Sequence, residues 1–156
     1  MAVEIERKFL VLEGWRDQIE SSHFMAQGYL GGDRCSVRVR INGDQATLNI
    51  KSRELGASRL EYEYEIPLAE GHEILERVSN GPVVEKTRHL IRFQGHLWEV
   101  DEFHADNQGL VVAEIELDHE DEAFGRPDWL GPEVTDDPRY YNLNLAVHPF
   151  RSWKES

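Results

Sequence analysis

From Arg59 to Ile66 charged and apolar residues alternate without a break. Arg59, Glu61, Glu63 and Glu65 share one parity, and Leu60, Tyr62, Tyr64 and Ile66 share the other. Strand side chains point to opposite faces in turn, so this run reads as a β-strand with one charged and one apolar face. The same period returns along most of the chain. Glu4, Glu6 and Lys8 alternate with Ile5 and Phe9, and Ser36, Arg38 and Arg40 with Val37, Val39 and Ile41. Thr47, Asn49, Lys51 and Arg53 stand opposite Leu48 and Ile50. Later runs place Lys86 and Arg88, then Glu99 and Asp101, then Glu114 and Glu116 on their polar parities.

Turn residues separate these runs. Asn42-Gly43-Asp44 predicts a tight hairpin, and Gly31-Gly32-Asp33 and Gln94-Gly95 predict turns. The strands expected are residues 2–12, Phe24 to Leu30, Cys35 to Ile41, Ala46 to Arg53, Arg59 to Ile66, Val83 to Phe93, His96 to Phe103 and Leu110 to Leu117. A short strand over Trp129 to Thr135 is expected after them. Leu55 to Ser58 reads as a loop. Pro67 opens a helix over Leu68 to Val78, which Asn80-Gly81-Pro82 stops, and Asp137-Pro138 opens a last helix running to Val147. Gly14 to Ser22 reads as a short helix or turn. Strands in hairpin order with few helices predict an α+β, mainly antiparallel fold. Closing the sheet into a barrel would remove its exposed edges. No repeat, low-complexity tract or linker divides residues 1–156, so a single domain is expected.

A lone E-x-E or R-x-R triplet usually marks a solvated sheet face. Here like charges pair on strand after strand, and the faces are dominated by Glu and Arg rather than Thr, Ser and Gln. Adjacent like charges cost energy unless something answers them. Carboxylate pairs are relieved by hard cations such as Mg²⁺ or Mn²⁺, and Arg and Lys pairs by phosphate oxygens. A phosphate-rich ligand that carries a divalent cation answers both. Other chemistry has little support. The seven histidines show no H-x-H or H-x₃-H spacing, and no phosphate-binding glycine loop or nucleophile elbow appears. Trp98, Trp129, Tyr62 and Tyr64 read as core. Tyr29 shares a parity with Gln27 and suits packing and ligand contact equally.

The net charge is −13, which disfavours nonspecific contact with nucleic acid or an anionic membrane. Cys35 is the only cysteine, so no intrachain disulfide forms. With no apolar run of signal-peptide or membrane-spanning length, the expected location is the cytosol.

Glu4-Ile5-Glu6-Arg7-Lys8-Phe9 resembles the E-x-E-x-K signature of the CYTH superfamily, the triphosphate tunnel metalloenzymes. Arg38-Val39-Arg40, Lys51, Glu61-Tyr62-Glu63, Lys86-Thr87-Arg88 and Glu114-Ile115-Glu116 resemble its later motifs, in order. Tyr141-Asn142-Leu143 resembles its C-terminal helix. The resemblance implies an eight-stranded antiparallel tunnel with a charged lumen and a few flanking helices. It implies hydrolysis of a triphosphate-bearing small molecule with Mg²⁺ or Mn²⁺, and the E-I-E-R-K-F-L opening is most similar to bacterial inorganic triphosphatases. Adenylate cyclase, thiamine or nucleoside triphosphatase, and phosphate binding without turnover remain alternatives, and a homodimer is left open. By the same resemblance Lys8, Arg38, Arg40, Lys51, Arg59, Lys86 and Arg88 would bind phosphate. Glu4, Glu6, Asp101, Glu114 and Glu116 would bind metal, and Glu6, Lys8, Lys86 and Glu63 would take part in catalysis.

Overall fold

In a computed structural model, residues 3–30, 35–52 and 57–153 are described. Arg53, the expected Gly31–Asp33 turn and the first part of the loop expected from Leu55 lie outside them. The strands are β1 (Val3–Val11), β2 (Ser21–Tyr29), β3 (Cys35–Asn42), β4 (Gln45–Ser52), β5 (Ser58–Ile66), β6 (Asn80–Phe93), β7 (His96–Phe103), β8 (Val111–Leu117) and β9 (Leu130–Glu133). The helices are α1 (Leu68–Arg77) and α2 (Asn142–Val147). Every pairing is antiparallel, in the order β5-β4-β3-β2-β6-β7-β8-β1, and β5 returns to β1 through Val3↔Leu60, Glu4↔Arg59 and Ile5↔Ser58. The first eight strands therefore close into a barrel. Beyond the stretch that β1 shares with β5, its free edge is taken by β9 at Phe9↔Glu133 and Val11↔Leu130.

Local chemistry explains the joints. Gly43 has φ 61°, which a two-residue hairpin demands and glycine adopts freely, and Asn42↔Gln45 is the last pair of β3–β4. Helix α1 ends at Arg77 and Asn80 already begins β6, so the expected stop is a strand start. The last expected helix is split: a 3-10 turn covers Pro138–Tyr140 and α2 follows. The early turn is also 3-10, at Trp15–Gln18, and β2 begins at Ser21, ahead of the expected Phe24.

Closure turns the charged parity of each strand inward. The apolar parity of β1, β6, β7 and β8 packs outside the barrel, where Phe9, Ile91, Trp98, Val100, Ala113 and Ile115 form a dry cluster beneath Trp15 and Trp129. Tyr62 and Tyr64 lie on the same outward parity of β5 but have no such cover. They are 39% and 55% exposed, which corrects their expected place in the core. A second cluster fills one end of the lumen, where Tyr29, Val84, Phe103 and Val112 meet Tyr140, Leu145 and Ala146 of the C-terminal segment. The barrel thus has an apolar floor plugged by α2.

Helix α1 lies close against the β3–β4 hairpin. A Cβ placed on Gly71 would stand 2.6 Å from Ala46 Cβ and 2.9 Å from Ile41 Cδ1. Gly71→Ala should therefore destabilise, although alanine is the better helix former. Overpacking costs about 1–3 kcal/mol against a propensity gain of about 1 kcal/mol. A melting temperature above the parent's would show that the contact yields freely.

Candidate active site

A cavity of about 500 Å³ occupies the lumen. Glu4, Glu6 and Lys8 line it from β1, Arg38 and Arg40 from β3, Lys51 from β4, and Arg59, Glu61 and Glu63 from β5. Lys86 and Arg88 line it from β6, Glu99 from β7, and Glu114 and Glu116 from β8. Residues far apart in sequence thus converge because each strand contributes one parity to one enclosed space.

The lumen is graded along its axis. Nearest the apolar floor, Lys86 is fully buried and donates from Nζ to Asp101 Oδ2 at 2.8 Å and to Asn142 Oδ1 at 2.9 Å. Arg88 grips the same carboxylate, Nε to Oδ1 at 2.8 Å and Nη2 to Oδ2 at 2.9 Å. Asp101 is itself 0% exposed and is absent from the cavity lining; it stands behind two cations. Lys8 donates to Glu114 at 2.6 Å and lies 3.3 Å from Glu6. Lys51 joins Glu4 at 2.8 Å and Glu61 at 3.4 Å. Glu63 accepts from Asn49 Nδ2 at 2.9 Å at an exposed position of β5.

These charges shift one another. Burial favours neutral Asp101, but Arg88 and then Lys86 outweigh it and hold the carboxyl at about 2. Burial likewise opposes ionised Glu114, which Lys8, Arg88 and Lys86 together hold well below the usual range. Lys86 goes the other way. Burial, aided by Arg88 and Arg40, outweighs the raising effect of Asp101 and lowers its pKa from 10.5 to about 7. Burial, Arg38 and Arg88 also depress Arg40, although a guanidinium remains cationic at neutral pH. The Nε atoms of Arg38 and Arg59 are buried with no hydrogen-bond partner. A buried donor without an acceptor is costly. Two such donors beside a crowd of cations suit an anion with many oxygens.

The opposite electrostatic need lies toward the acidic end. Register sets Glu6 across from Glu116 and Glu99 across from Glu114. The Glu116 carboxyl is pushed up by desolvation and by Glu4, Glu99, Glu6 and Glu61, and Glu116 forms no ion pair among the described residues. Glu99 is pushed up by burial and partly restrained by Arg88. Among the described residues no three Asp, Glu, His or Cys side chains are gathered about one point. The donors nevertheless fit a hard divalent cation in kind: all are carboxylate oxygens, repelling one another across adjacent strands. Such an ion would compete with Lys51 for Glu4 and with Lys8 for Glu6.

The family model for the CYTH domain matches residues 2–141. The chain belongs to the CYTH family. Among curated relatives, it is 49% identical over 156 residues to an inorganic triphosphatase of Acetivibrio thermocellus, covering 99% of this chain and 100% of that protein. It is 39% identical over 149 residues to an inorganic triphosphatase of Nitrosomonas europaea, covering 92% and 97%. The crystal structure of an inorganic triphosphatase superposes with a TM-score of 0.67 at 36% identity, again covering 92% and 97%. The CYTH barrel therefore accounts for the inward convergence of the charged strands.

Several residues in or behind the cavity wall went beyond the sequence expectation. Asn142 and Tyr141 come from the start of α2, and Arg59 lies 5.1 Å from the Tyr141 ring centroid. Gln27 is fully buried and accepts from Arg40 Nε at 2.8 Å. The shared parity of Gln27 and Tyr29 was its only signal. No helix among the described residues is long and apolar enough to cross a membrane.

Proposed function

We propose that this chain hydrolyses inorganic triphosphate to pyrophosphate and orthophosphate inside the barrel, with Mg²⁺ or Mn²⁺. The observation that carries this reading is the convergence of cations from β1, β3, β4, β5 and β6 on one cavity that also holds Glu116, a carboxylate without an ion pair among the described residues and with its pKa raised by desolvation and by its acidic neighbours. The two charged regions of that site, cationic and anionic, match a polyanion and a divalent ion bound together. Arg38, Arg40, Arg59 and Arg88 grip phosphate oxygens and offset the charge that grows on them as the phosphoanhydride bond breaks. Lys8 and Lys51 bridge the basic and acidic regions, since each already touches a glutamate. Glu4, Glu6 and Glu116 would hold the metal. Glu114 and Asp101 act chiefly on Lys8, Lys86 and Arg88, the cations they touch. A bound divalent ion supplies charge neutralisation and orients the phosphates. Lys86, with its pKa near neutrality, is the group suited to receive a proton from the attacking water. Glu63 stands at the exposed side of the site, where it can order water.

The test is steady-state release of orthophosphate from tripolyphosphate, ATP and pyrophosphate, with each metal and with excess chelator. Tripolyphosphate is expected to give the highest kcat/KM, and chelator to abolish turnover. Undiminished turnover in chelator would remove the metal from the mechanism, and faster formation of cyclic AMP from ATP would favour the cyclase reading.

A further inference from the structure

One chain of hydrogen bonds joins Arg40 to Lys86 through two neutral amides and runs on to Arg88 through Asp101. Arg40 Nε donates to Gln27 Oε1 at 2.8 Å, and Gln27 Nε2 donates to Asn142 Oδ1 at 2.7 Å. The same Asn142 oxygen accepts from Lys86 Nζ at 2.9 Å. Lys86 continues to Asp101, and Asp101 to Arg88. Asn142 is 9% exposed and is the first residue of α2, the element that plugs the apolar floor. Its one carbonyl oxygen thus uses two acceptor sites for two donors on different strands.

We propose that Asn142 is a positioning residue of the triphosphate site. It fixes the Lys86 nitrogen directly and the Arg40 guanidinium through Gln27, which makes the C-terminal helix a working part of the site. The inference rests on the triphosphatase reading. Its logic lies in the residue type. Asp101 already supplies Lys86 and Arg88 with a carboxylate, and a second one would neutralise charge that the phosphates need. An amide oxygen holds the donors in place and leaves their charge free.

The experiment compares kcat and KM for tripolyphosphate in the parent, Asn142→Leu and Asn142→Asp. Leucine keeps the branching of the side chain, at a larger volume, and removes the acceptor. It should lower kcat about tenfold to a hundredfold, the scale set by small misplacements of catalytic groups. Aspartate keeps the acceptor but its charge raises the Lys86 pKa, so kcat on the alkaline plateau should stay within about threefold, while the added charge raises KM about tenfold. Parent values of both constants in N142L would overturn the proposal, as would equal loss of kcat in both variants. A readout independent of turnover is the side-chain ammonium signal of Lys86 in ¹⁵N-lysine protein, recorded below its pKa of about 7. Protection from exchange is expected in the parent and in N142D and not in N142L; unchanged protection in N142L contradicts the brace. Should N142L fail to fold, Gln27→Leu cuts the Arg40 branch alone and should raise KM with Lys86 still protected. Loss of that protection in Q27L would overturn the branching order. A parent that never cleaves tripolyphosphate sinks the functional reading, and the Lys86 signal still reports on the brace.

Discussion

Asp101→Asn is expected to destabilise the protein by about 3–5 kcal/mol, the usual cost of removing one partner from a buried ion network. Two buried cations lose their shared counter-charge, since Lys86 and Arg88 both bond this carboxylate. In a chain of this size that corresponds to a fall in melting temperature of about 10 °C. Tripolyphosphate should restore more stability to the variant than to the parent, because phosphate oxygens answer the freed charges. Were Asp101 instead a metal ligand, the variant's metal-free stability would match or exceed the parent's, and its stabilisation by Mg²⁺ would vanish. Thermal denaturation with and without each ligand separates the two. The same pair gives a sign for pH. Asp101 is held at about 2 against an ordinary 3.8, so its stabilisation is complete above the ordinary value and is lost as pH falls through that window.

Lys86→Arg should lower kcat/KM about a hundredfold or more, the scale of a lost general base. Arginine keeps the positive charge but cannot become neutral. The Lys86 pKa is lowered to about 7, so the amine needed to accept a proton fills in as pH rises through that value. The parent's kcat/KM should therefore climb with pH across that range and then level off, and the variant should lack this limb. Folding stability carries the same signature. Between about 7 and 10.5 the unfolded chain binds a proton that the folded one does not, so Lys86 makes stability rise with pH there. A variant with parent-like turnover and an unchanged limb would show that Lys86 serves only as a charge.

Much of this was legible in the sequence because a barrel preserves period two. Glu4, Glu6, Lys8, Arg38, Arg40, Lys51, Arg59, Lys86, Arg88, Glu114 and Glu116 share the cavity since each lies on the polar parity of its strand. Parity assigns faces, but it does not say what covers them. Trp98 is buried because Trp129 and Phe124 pack over it, whereas Tyr62 and Tyr64 on the equivalent outward face are wet. Nor does parity give depth along the lumen. Asp101 and Glu99 share a face, yet Asp101 sits deeper, where register pairs it with Arg88 and Lys86 comes within bonding distance. Asn142 was the least accessible to sequence reasoning, since α2 is too short for a helical period and its role depends on reaching across the barrel floor to β2 and β6.

The central claim is that cations from distant strands hold one triphosphate, and the affinity of tripolyphosphate for the Arg38→Ala and Arg59→Ala variants tests it most directly. Both side chains carry a buried Nε without a partner, so neither truncation removes a hydrogen bond made by that atom. Calorimetric titration in Ca²⁺, chosen to support binding with slow turnover, measures the affinity. Each variant should bind about tenfold more weakly or worse, from the loss of charge-assisted bonds worth about 1.5–3 kcal/mol. Binding equal to the parent's in both variants would contradict the convergent lining and the function built on it.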